Sequence, residues 1–248
     1  MRRNTQAAIL CGGRGERLKP LTDYFQKVMI PIGPKKLPLL AYIVALMRHH
    51  GVTKITLLTG YRSGDIRSYF GTGSGQRVKI SYSEDKANLP GSLNAVANAL
   101  ASGAIEKCDQ LLIYYGDILT DLNITELLDA HRDSKAEVTL VLDKGYTLPV
   151  GVAEVKEGIV TSFREKPKVD MSVTTGPMVV GPAAMKLMVK IAGRKMSDLM
   201  TDFVPETLRR GRKVAAYYTT QDWFDVGTVS SFVKLNEELA RHPLSYLA

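Results

Sequence analysis

The sequence predicts an α/β fold in which helices cover a largely parallel sheet. Short apolar runs of strand length alternate along the chain with longer amphipathic stretches of helical period. This alternation makes successive strands run parallel, because each helix returns the chain to the same end of the sheet. With 248 residues, of which 45% are hydrophobic, the chain can bury the core that such a sheet requires.

The first half of the chain supplies most of the predicted elements. The run TQAAILC predicts a buried strand that ends at Gly12 and Gly13, and LPLLAYIVALMRHHG predicts a helix that ends at Gly51. Further strands are predicted at KITLLTG, VKISYS, QLLIYYGD and AEVTLVLD, and further helices at SLNAVANALASG and ITELLDAHRDS.

The pattern changes after Pro149. The segment GVAEVKEGIVTSFREKPK contains two short β-runs joined at Lys156-Glu157-Gly158, which predicts a hairpin. No Ser/Pro-rich linker, repeat or low-complexity tract separates the hairpin from the rest of the sequence. We therefore expect it to be a lobe of one domain that spans residues 1–248.

Composition excludes several classes of protein. The two cysteines, Cys11 and Cys108, are too few for a disulfide framework or a multi-cysteine zinc site, so we expect a reducing compartment. The apolar stretch at the N-terminus is too short for a signal peptide, and no run approaches the ~20 apolar residues of a membrane span. We expect a cytoplasmic protein without a membrane partner. The histidines form no motif with Ser, Cys or Asp, and His49, His50 and His131, which fall on helical patterns, are expected at the surface.

Positive charge collects around one glycine-rich turn, AAILCGGRGERLKP, at residues 7–20. Residues 1–36 hold eight Lys or Arg and two Asp or Glu, a balance of +6 within the whole-chain +8. The remainder holds 25 basic and 23 acidic residues. A nucleic-acid surface more often spreads its basic residues over several elements, so this concentration favours a small polyphosphate as the ligand.

The same turn follows a strand directly, where open α/β sheets bind ligands and where glycine lets backbone N–H groups approach phosphate. It lacks the dinucleotide fingerprint, because Leu18 stands where the third glycine belongs, and it lacks the Gly-Lys-Ser/Thr of a P-loop. Arg14 and Arg17, three residues apart, suit bidentate contact with phosphate oxygens. For these residues taken alone, a solvated basic turn is the alternative interpretation.

Five motifs in order resemble the sugar-1-phosphate nucleotidyltransferases: AAILCGGRGERLKPLT, QKVMIPIG, YYGD, FREKPK and WFDVGT. The resemblance covers nearly the whole chain. It implies a Rossmann-like, three-layer αβα fold with a mostly parallel central sheet and a small β-rich sugar-binding lobe. Residues 1–145 would mainly bind the nucleotide, and residues 146–248 would mainly form the sugar-binding part and the C-terminal helices. Because nothing remains for the left-handed β-helix domain of some relatives, we expect the catalytic domain alone.

The resemblance also implies a reaction. A sugar-1-phosphate would attack the α-phosphorus of a nucleoside triphosphate (NTP), giving a nucleotide sugar and pyrophosphate, with Mg²⁺ as the cofactor. Arg17 would hold the leaving pyrophosphate, and Lys27 would bridge toward the α-phosphate or the sugar phosphate. Asp117 and Asp225 would bind the metal, with Asp117 also counted as catalytic. Taken alone, Lys27 would be a lysine snorkelling from an apolar surface and each aspartate a cap of the next element.

The remaining candidates are implied to contact one substrate or the other. Those for the nucleotide are Gly12, Gly13, Arg14, Gly15, Glu84, Gly91 and Ser92, and those for the sugar phosphate are Glu165, Lys166 and Thr175. The chain departs from the family pattern at Gln26 and Val28, where prolines often stand, in a long loop from Glu84 to Gly91, at Asn94, which varies among relatives with the base, and at Thr174-Thr175-Gly176 in place of Asn-Ala-Gly.

Several functions stay open. Mannose-1-phosphate guanylyltransferase is slightly favoured over glucose-1-phosphate thymidylyl- or uridylyltransferase. A non-catalytic, nucleotide-sugar-binding regulatory subunit is the rival from another class, and the four charged residues Arg17, Lys27, Asp117 and Asp225 argue against it. Nucleic-acid binding is disfavoured because the basic region lacks interleaved aromatic residues. The expected partners are therefore the NTP and the sugar-1-phosphate, and the chain could form a homo-oligomer.

Overall fold

The structure, a computed structural model, describes residues 4–145, 147–148, 150–193, 197–242 and 244. Arg2 and Arg3 of the basic cluster, and Pro149 at the predicted change of pattern, lie outside the described residues. The strands and helices predicted from the apolar runs are present, with bounds that agree to within two residues.

The central sheet confirms the predicted α/β fold. Its order is β12-β8-β11-β6-β1-β4-β5, and adjacent strands run parallel except where β11 lies antiparallel to β6 and β8. The strands are β1 (Thr5–Leu10), β2 (Pro31–Ile32), β3 (Leu37–Pro38), β4 (Lys54–Thr59), β5 (Lys79–Glu84), β6 (Gln110–Tyr115), β7 (Ile118–Thr120), β8 (Val138–Lys144), β9 (Val152–Lys156), β10 (Ile159–Arg164), β11 (Ser172–Val180), β12 (Val214–Tyr218) and β13 (Trp223–Asp225).

Helices lie between the strands along the chain. They are α1 (Leu21–Tyr24), α2 (Leu39–His49), α3 (Ser63–Phe70), α4 (Ser92–Ala101), α5 (Ile124–Ser134), α6 (Pro182–Ile191), α7 (Val204–Arg209) and α8 (Val229–Arg241). Short 3-10 turns cover Glu16–Leu18, Lys27–Met29 and Ser74–Gln76, and a π-turn covers Leu199–Phe203.

The core forms two clusters, one on each face of the sheet. Side chains of β1 alternate between them, because Ala7 and Ile9 pack with α2 while Ala8 packs with α4 and α6. Each fully buried aliphatic side chain contributes about 1.5–3 kcal/mol. Burial on both faces explains why β1 has no polar positions between Ala7 and Leu10, and it gives the glycine-rich turn a rigid base.

His131 contradicts the expectation of a surface position. It is buried, and its Nδ1 lies 2.8 Å from the Thr139 hydroxyl on β8. Ile124 and Leu127, which precede His131 by seven and four residues along α5, are buried on the same face. Because residues at i, i+3 and i+7 share a helix face, this spacing was the signal that His131 faces the core.

The predicted hairpin is present as a separate two-stranded sheet. Strands β9 and β10 pair antiparallel, with Ile159 opposite Lys156, and Glu157 and Gly158 both have positive φ. Positive φ at two successive turn residues matches the twist of a tight hairpin. A second short pairing joins β13 to β7, and it positions part of the site described below. Of the helices described, none has the length and apolar character needed to cross a membrane.

Candidate active site

Two adjoining cavities open at the carboxyl ends of the central strands. A large cavity of about 640 Å³ is lined by the ends of β1, β4, β5 and β6, and a small cavity of about 390 Å³ lies toward β11 and β13. Tyr115 and Asp117, at the end of β6, line both cavities. The chain leaves β1 for β4 on one side while β6 lies on the other, and ligands of open α/β sheets bind at such a switch point.

The glycine-rich turn forms one wall of the large cavity. Gly12 packs so closely on Asp85 that a Cβ at residue 12 would overlap its carboxylate. Gly15 has φ +68° and packs against Thr22 and Lys27, so two of its features require glycine. Among the described residues, no neighbour lies within 4 Å of the Cβ position of Gly13. Gly12 and Gly15 therefore shape the turn, whereas Gly13 leaves backbone open to the cavity.

Gln26 fixes the turn to the segment that carries Lys27. Its side chain is fully buried, donates to the carbonyl of Cys11 at 2.6 Å and accepts from the backbone N–H of Val28 at 2.7 Å. These bonds satisfy two buried backbone groups that would otherwise lack partners. Sequence reasoning noted Gln26 as a replacement for proline but missed this role.

Lys27 and Asp117 form an ion pair where the two cavities meet. The Lys27 Nζ lies 2.5 Å from Asp117 Oδ2, and the two side chains are 12% and 28% exposed. Charge-assisted hydrogen bonds are stronger in such partly dehydrated surroundings. The pair therefore holds one cation and one anion at the junction, within reach of a ligand in either cavity.

Asp225 is brought to the same junction by the β7–β13 pairing. It lies opposite Ile118, and the N–H of Val226 donates to the carbonyl of Asp117 at 2.8 Å. Partial loss of hydration raises the pKa of Asp225, the Asp117 carboxylate raises it further, and Lys27 and Arg17 oppose the shift. The two predicted metal ligands are thus close enough to repel each other.

Arg17 lies beside Asp225 and is not among the described residues that line the large cavity. A Cβ at Gly227 would be 3.1 Å from the Arg17 guanidinium and 3.0 Å from Asp225 Oδ1. Arg14, by contrast, lines the cavity, and its guanidinium lies 5.3 Å from the centre of the Tyr61 ring. The predicted phosphate-binding arginines therefore lie on different sides of the turn.

The paired carboxylates suit a hard cation. Asp117 and Asp225 offer oxygen donors only, and no group of three or more His, Cys, Asp or Glu arranged for a metal occurs within the described part of the chain. Mg²⁺ binds proteins through one or two carboxylates and fills its other positions with water and substrate phosphates. The donor set of Asp117 and Asp225 therefore fits magnesium.

Gly91 and Ser92 line the large cavity and contact the segment 197–199, which reaches the small cavity at Asp198. Gly91 has φ +115° and packs on the backbone of Ser197, where a side chain would overlap. The Ser92 hydroxyl donates to Asp198 Oδ2 at 2.6 Å and accepts from the N–H of Leu199 at 2.9 Å. Ser92 lines the large cavity and Asp198 the small one.

The loop after β5 was only partly anticipated. Glu84 lines the large cavity, but its carboxylate accepts from the Ser63 hydroxyl at 3.2 Å. Asp85, which sequence reasoning missed, faces the same cavity from a half-buried position. Asn94 is buried, donates to the carbonyl of Pro90 and accepts from the N–H of Gly193, so it bonds to backbone within the protein.

The small cavity contains one of the three predicted sugar-phosphate residues. Thr175 is buried there, and its hydroxyl donates to the carbonyl of Val141 at 3.3 Å. Trp223 lines the same cavity and is held by Asp143, which accepts from its indole N–H at 3.0 Å. Glu165 and Lys166 are exposed beyond the end of β10, and neither is among the described residues that line the two cavities.

Known proteins similar to this chain include several named enzymes. The chain is 30% identical to a mannose-1-phosphate guanylyltransferase of Mycobacterium tuberculosis over 95% of its length, and 29% identical to a UTP–glucose-1-phosphate uridylyltransferase of a Synechocystis strain over 92%. It spans 64% and 61% of those two relatives. A solved structure from Bacillus anthracis, assigned as a glucose-1-phosphate thymidylyltransferase and determined with sucrose, superposes with a TM-score of 0.76, at 23% identity, over 96% of this chain and 95% of that one.

The structural match supports the fold, and the sequence matches confirm the resemblance drawn from the five motifs. The family model described as Nucleotidyl transferase matches residues 6–242, which is nearly the whole chain. The chain with these two adjoining cavities therefore belongs to the nucleotidyl transferase family.

Proposed function

We propose that this chain transfers a nucleoside monophosphate from an NTP to a sugar-1-phosphate, giving a nucleotide sugar and pyrophosphate. The observation that carries the proposal is the Lys27–Asp117 pair at the junction of two cavities of unequal size. The large cavity has room for a nucleotide and the small one for a sugar phosphate. The relatives with named activities catalyse reactions of this class.

The chemistry asks the protein for positioning and charge neutralisation. The nucleophile is a phosphate monoester whose second pKa is about 6, so it is already an anion at neutral pH and needs no general base. The barrier lies in bringing two polyanions together in line. Lys27 supplies a fixed positive charge between the two cavities, and Arg17 supplies a second one on the Asp225 side.

Asp117 and Asp225 would hold the magnesium ion, which when bound neutralises phosphate charge and orients the triphosphate. The Lys27 ammonium bonds to Asp117, which holds Lys27 at the junction of the two cavities. Lys27 must exchange this contact for phosphate oxygens as the substrates bind. Asp117 thus orients Lys27 as well as providing a metal ligand.

The sugar would occupy the small cavity, between the Trp223 ring and the segment Thr174–Gly176. An aromatic face suits the apolar face of a sugar ring, and the hydroxyls and backbone groups of the segment suit its polar edge. The roles of Glu165 and Lys166 stay predictions, which require the end of β10 to approach a bound sugar.

A pyrophosphate-release assay over a matrix of NTPs and sugar-1-phosphates, with magnesium and with excess chelator, tests the proposal. We expect release only when both substrates and the metal are present. Lys27→Met should reduce turnover ~100-fold or more, because it removes charge stabilisation in a partly dry site. Lys79→Met is the matched control, since Lys79 pairs with Glu106 at the surface. NTP binding without release for any sugar phosphate would contradict the proposal and favour a non-catalytic binding subunit.

A further inference from the structure

Asp85 faces the large cavity on the side opposite the Lys27–Asp117 pair. Its carboxylate packs against Gly12 and Gly60, and a Cβ added at Gly60 would lie 3.0 Å from Oδ2. Both glycines closely follow the ends of central strands, β1 and β4, so the carboxylate rests on backbone that cannot move aside easily. The side chain is held in one place at the floor of the cavity.

No hydrogen bond reaches the Asp85 carboxylate from any residue in the described ranges, although its backbone N–H donates to Thr59 at 2.7 Å. Glu84, its neighbour, is bonded to Ser63. Burial raises the pKa of Asp85 to about 6, and the Glu84 charge adds to the shift. A half-buried carboxylate without donors is destabilising, and a ligand that brings donors would relieve this.

The spacing between Asp85 and Asp117 fits a nucleotide. Asp85 follows β5 and Asp117 follows β6, and the order β6-β1-β4-β5 separates them by three strand spacings, roughly 14 Å. Cys11 follows β1 and lies between them. Burial raises the pKa of its thiol, and the charges of Asp117 and Asp85 both raise it further. With the α-phosphate at Lys27 and Asp117, the outer edge of the base would reach Asp85.

Hydrogen-bond chemistry then selects the base. An ionised carboxylate only accepts hydrogen bonds, and its two oxygens match two adjacent donors. Guanine offers N1–H beside the exocyclic N2 amino group. Uracil and thymine offer one N–H between two carbonyl oxygens, while adenine and cytosine place a ring acceptor beside their amino group. Of these bases, guanine alone presents paired donors.

We propose that Asp85 determines base specificity by accepting from N1–H and the N2 amino group of guanine, so that this chain uses GTP. The proposal rests on the proposed function for the large cavity, and it extends that function to the identity of the nucleotide. Asp85 contacts substrate at a distance from the reacting phosphorus, so it is a specificity residue and takes no part in bond making.

Calorimetric titration at pH 8 with magnesium, and without sugar phosphate, tests the assignment. At this pH the Asp85 carboxylate is ionised. We expect GTP to bind ~30-fold or more tightly than UTP, and ITP, which lacks the N2 amino group, to bind ~10-fold more weakly than GTP. These comparisons use the unmodified protein, so they hold even if a variant folds poorly.

Asp85→Asn supplies the second arm. The amide keeps the size of the carboxylate, but its N–H₂ group would face the N2 amino group of guanine, so that two donors oppose each other. Xanthine has a carbonyl oxygen at that position, which can accept from the amide. We expect GTP binding to fall ~10-fold or more and XTP binding to rise, while Asp133→Asn, a surface control paired with Arg132, changes neither. A general loss of structure would weaken the binding of both nucleotides and could not reverse the order of their affinities.

Three results would overturn the inference. Tighter binding of UTP, dTTP or ATP than of GTP would show another base preference. Equal losses for GTP and XTP in Asp85→Asn, or no change at all, would remove Asp85 from base selection while leaving the proposed transferase function standing. Failure of every NTP to bind would instead reject the proposed function, and the inference with it.

Discussion

The hydroxyl of Ser92 donates to the carboxylate of Asp198 at 2.6 Å, and this bond joins the walls of the two cavities. Each residue lines a different cavity, and the N–H of Leu199 donates back to Ser92. Burial raises the pKa of Tyr115, which lines both cavities, to about 12, and Asp198 adds to the shift. A change on the large-cavity side of this contact therefore reaches the small cavity through Asp198, Leu199 and Tyr115.

Ser92→Ala should impair sugar-phosphate binding although Ser92 itself lines the large cavity. Removing the hydroxyl leaves Asp198 without one donor and Leu199 without an acceptor, which should lower the free energy of unfolding by about 1–3 kcal/mol. We expect a several-fold rise in KM for the sugar-1-phosphate. Urea denaturation and steady-state kinetics measure the two effects. Ser102→Ala, at the C-terminal end of the same helix, is the control and should leave KM unchanged.

Gly12→Ala and Gly13→Ala should separate folding from ligand binding. A Cβ at Gly12 would overlap the Asp85 carboxylate and crowd Gly60, so this variant should lose about 1–3 kcal/mol of stability and most nucleotide affinity. A Cβ at Gly13 meets no neighbour within 4 Å in the described part of the chain, so the midpoint of thermal unfolding of Gly13→Ala should stay at the wild-type value. Any loss of affinity in Gly13→Ala then comes from contact with the ligand. A folding defect in Gly13→Ala would contradict this division.

Asp117→Asn and Asp225→Asn should each reduce turnover ~100-fold or more, because each removes charge that offsets the metal. If both aspartates hold one ion, the double variant should be scarcely worse than the poorer single variant. Turnover measured against magnesium concentration checks this, and the single variants should need more metal. Asp222→Asn is the control, because Asp222 lines a separate surface cavity. Fully additive losses would separate the two aspartates into different sites.

The pH dependence of stability should change in Asp85→Asn. The pKa of Asp85 is about 6 in the folded protein and ordinarily 3.8, so the folded state binds its proton more tightly than the unfolded state. Its contribution to stability is therefore most favourable below pH 4 and is lost as the pH rises to 6 and above. After allowance for solvent screening, the variant should be more stable than wild type by up to about 1 kcal/mol at pH 8 and little different at pH 4.

Urea denaturation of both proteins across this pH range measures the difference. Glu84, whose charge adds to the rise in the pKa of Asp85, is present in both proteins. Asp133→Asn should show the wild-type pH dependence. Equal stability of Asp85→Asn and wild type at pH 8 would show that the carboxylate is better hydrated than its position implies.

Sequence patterns predicted the sheet well because burial on two faces leaves a strong signal. In β1, Ala7, Ala8 and Ile9 are all apolar since the strand lies in the middle of the sheet, and the glycine turn after it follows from the same position. The predicted strand QLLIYYGD likewise placed Asp117 at a strand end, and in the structure Asp117 follows β6 and lines both cavities.

Side-chain direction beyond a strand end was harder to predict. Strand β5 ends at Glu84, and alternation no longer says which of Glu84 and Asp85 faces the cavity. The role of Gln26 depends on a carbonyl 15 residues earlier, and nothing in local sequence indicates such a contact. The distance of Glu165 and Lys166 from the described cavity walls depends on how the hairpin is oriented, which its strand pattern does not specify.

The short β7–β13 pairing has a consequence for the order in which this protein matures. It joins two carboxylates that have 107 residues between them in the chain, and neither strand belongs to the seven-stranded sheet. During synthesis the neighbouring strands β6, β1, β4 and β5 can pair while Asp225 is still to be added by the ribosome. Such a nascent chain would lack one of the two carboxylates that we propose to hold magnesium. Tight metal binding would therefore mark the completion of folding, because contacts of such long sequence separation form slowly.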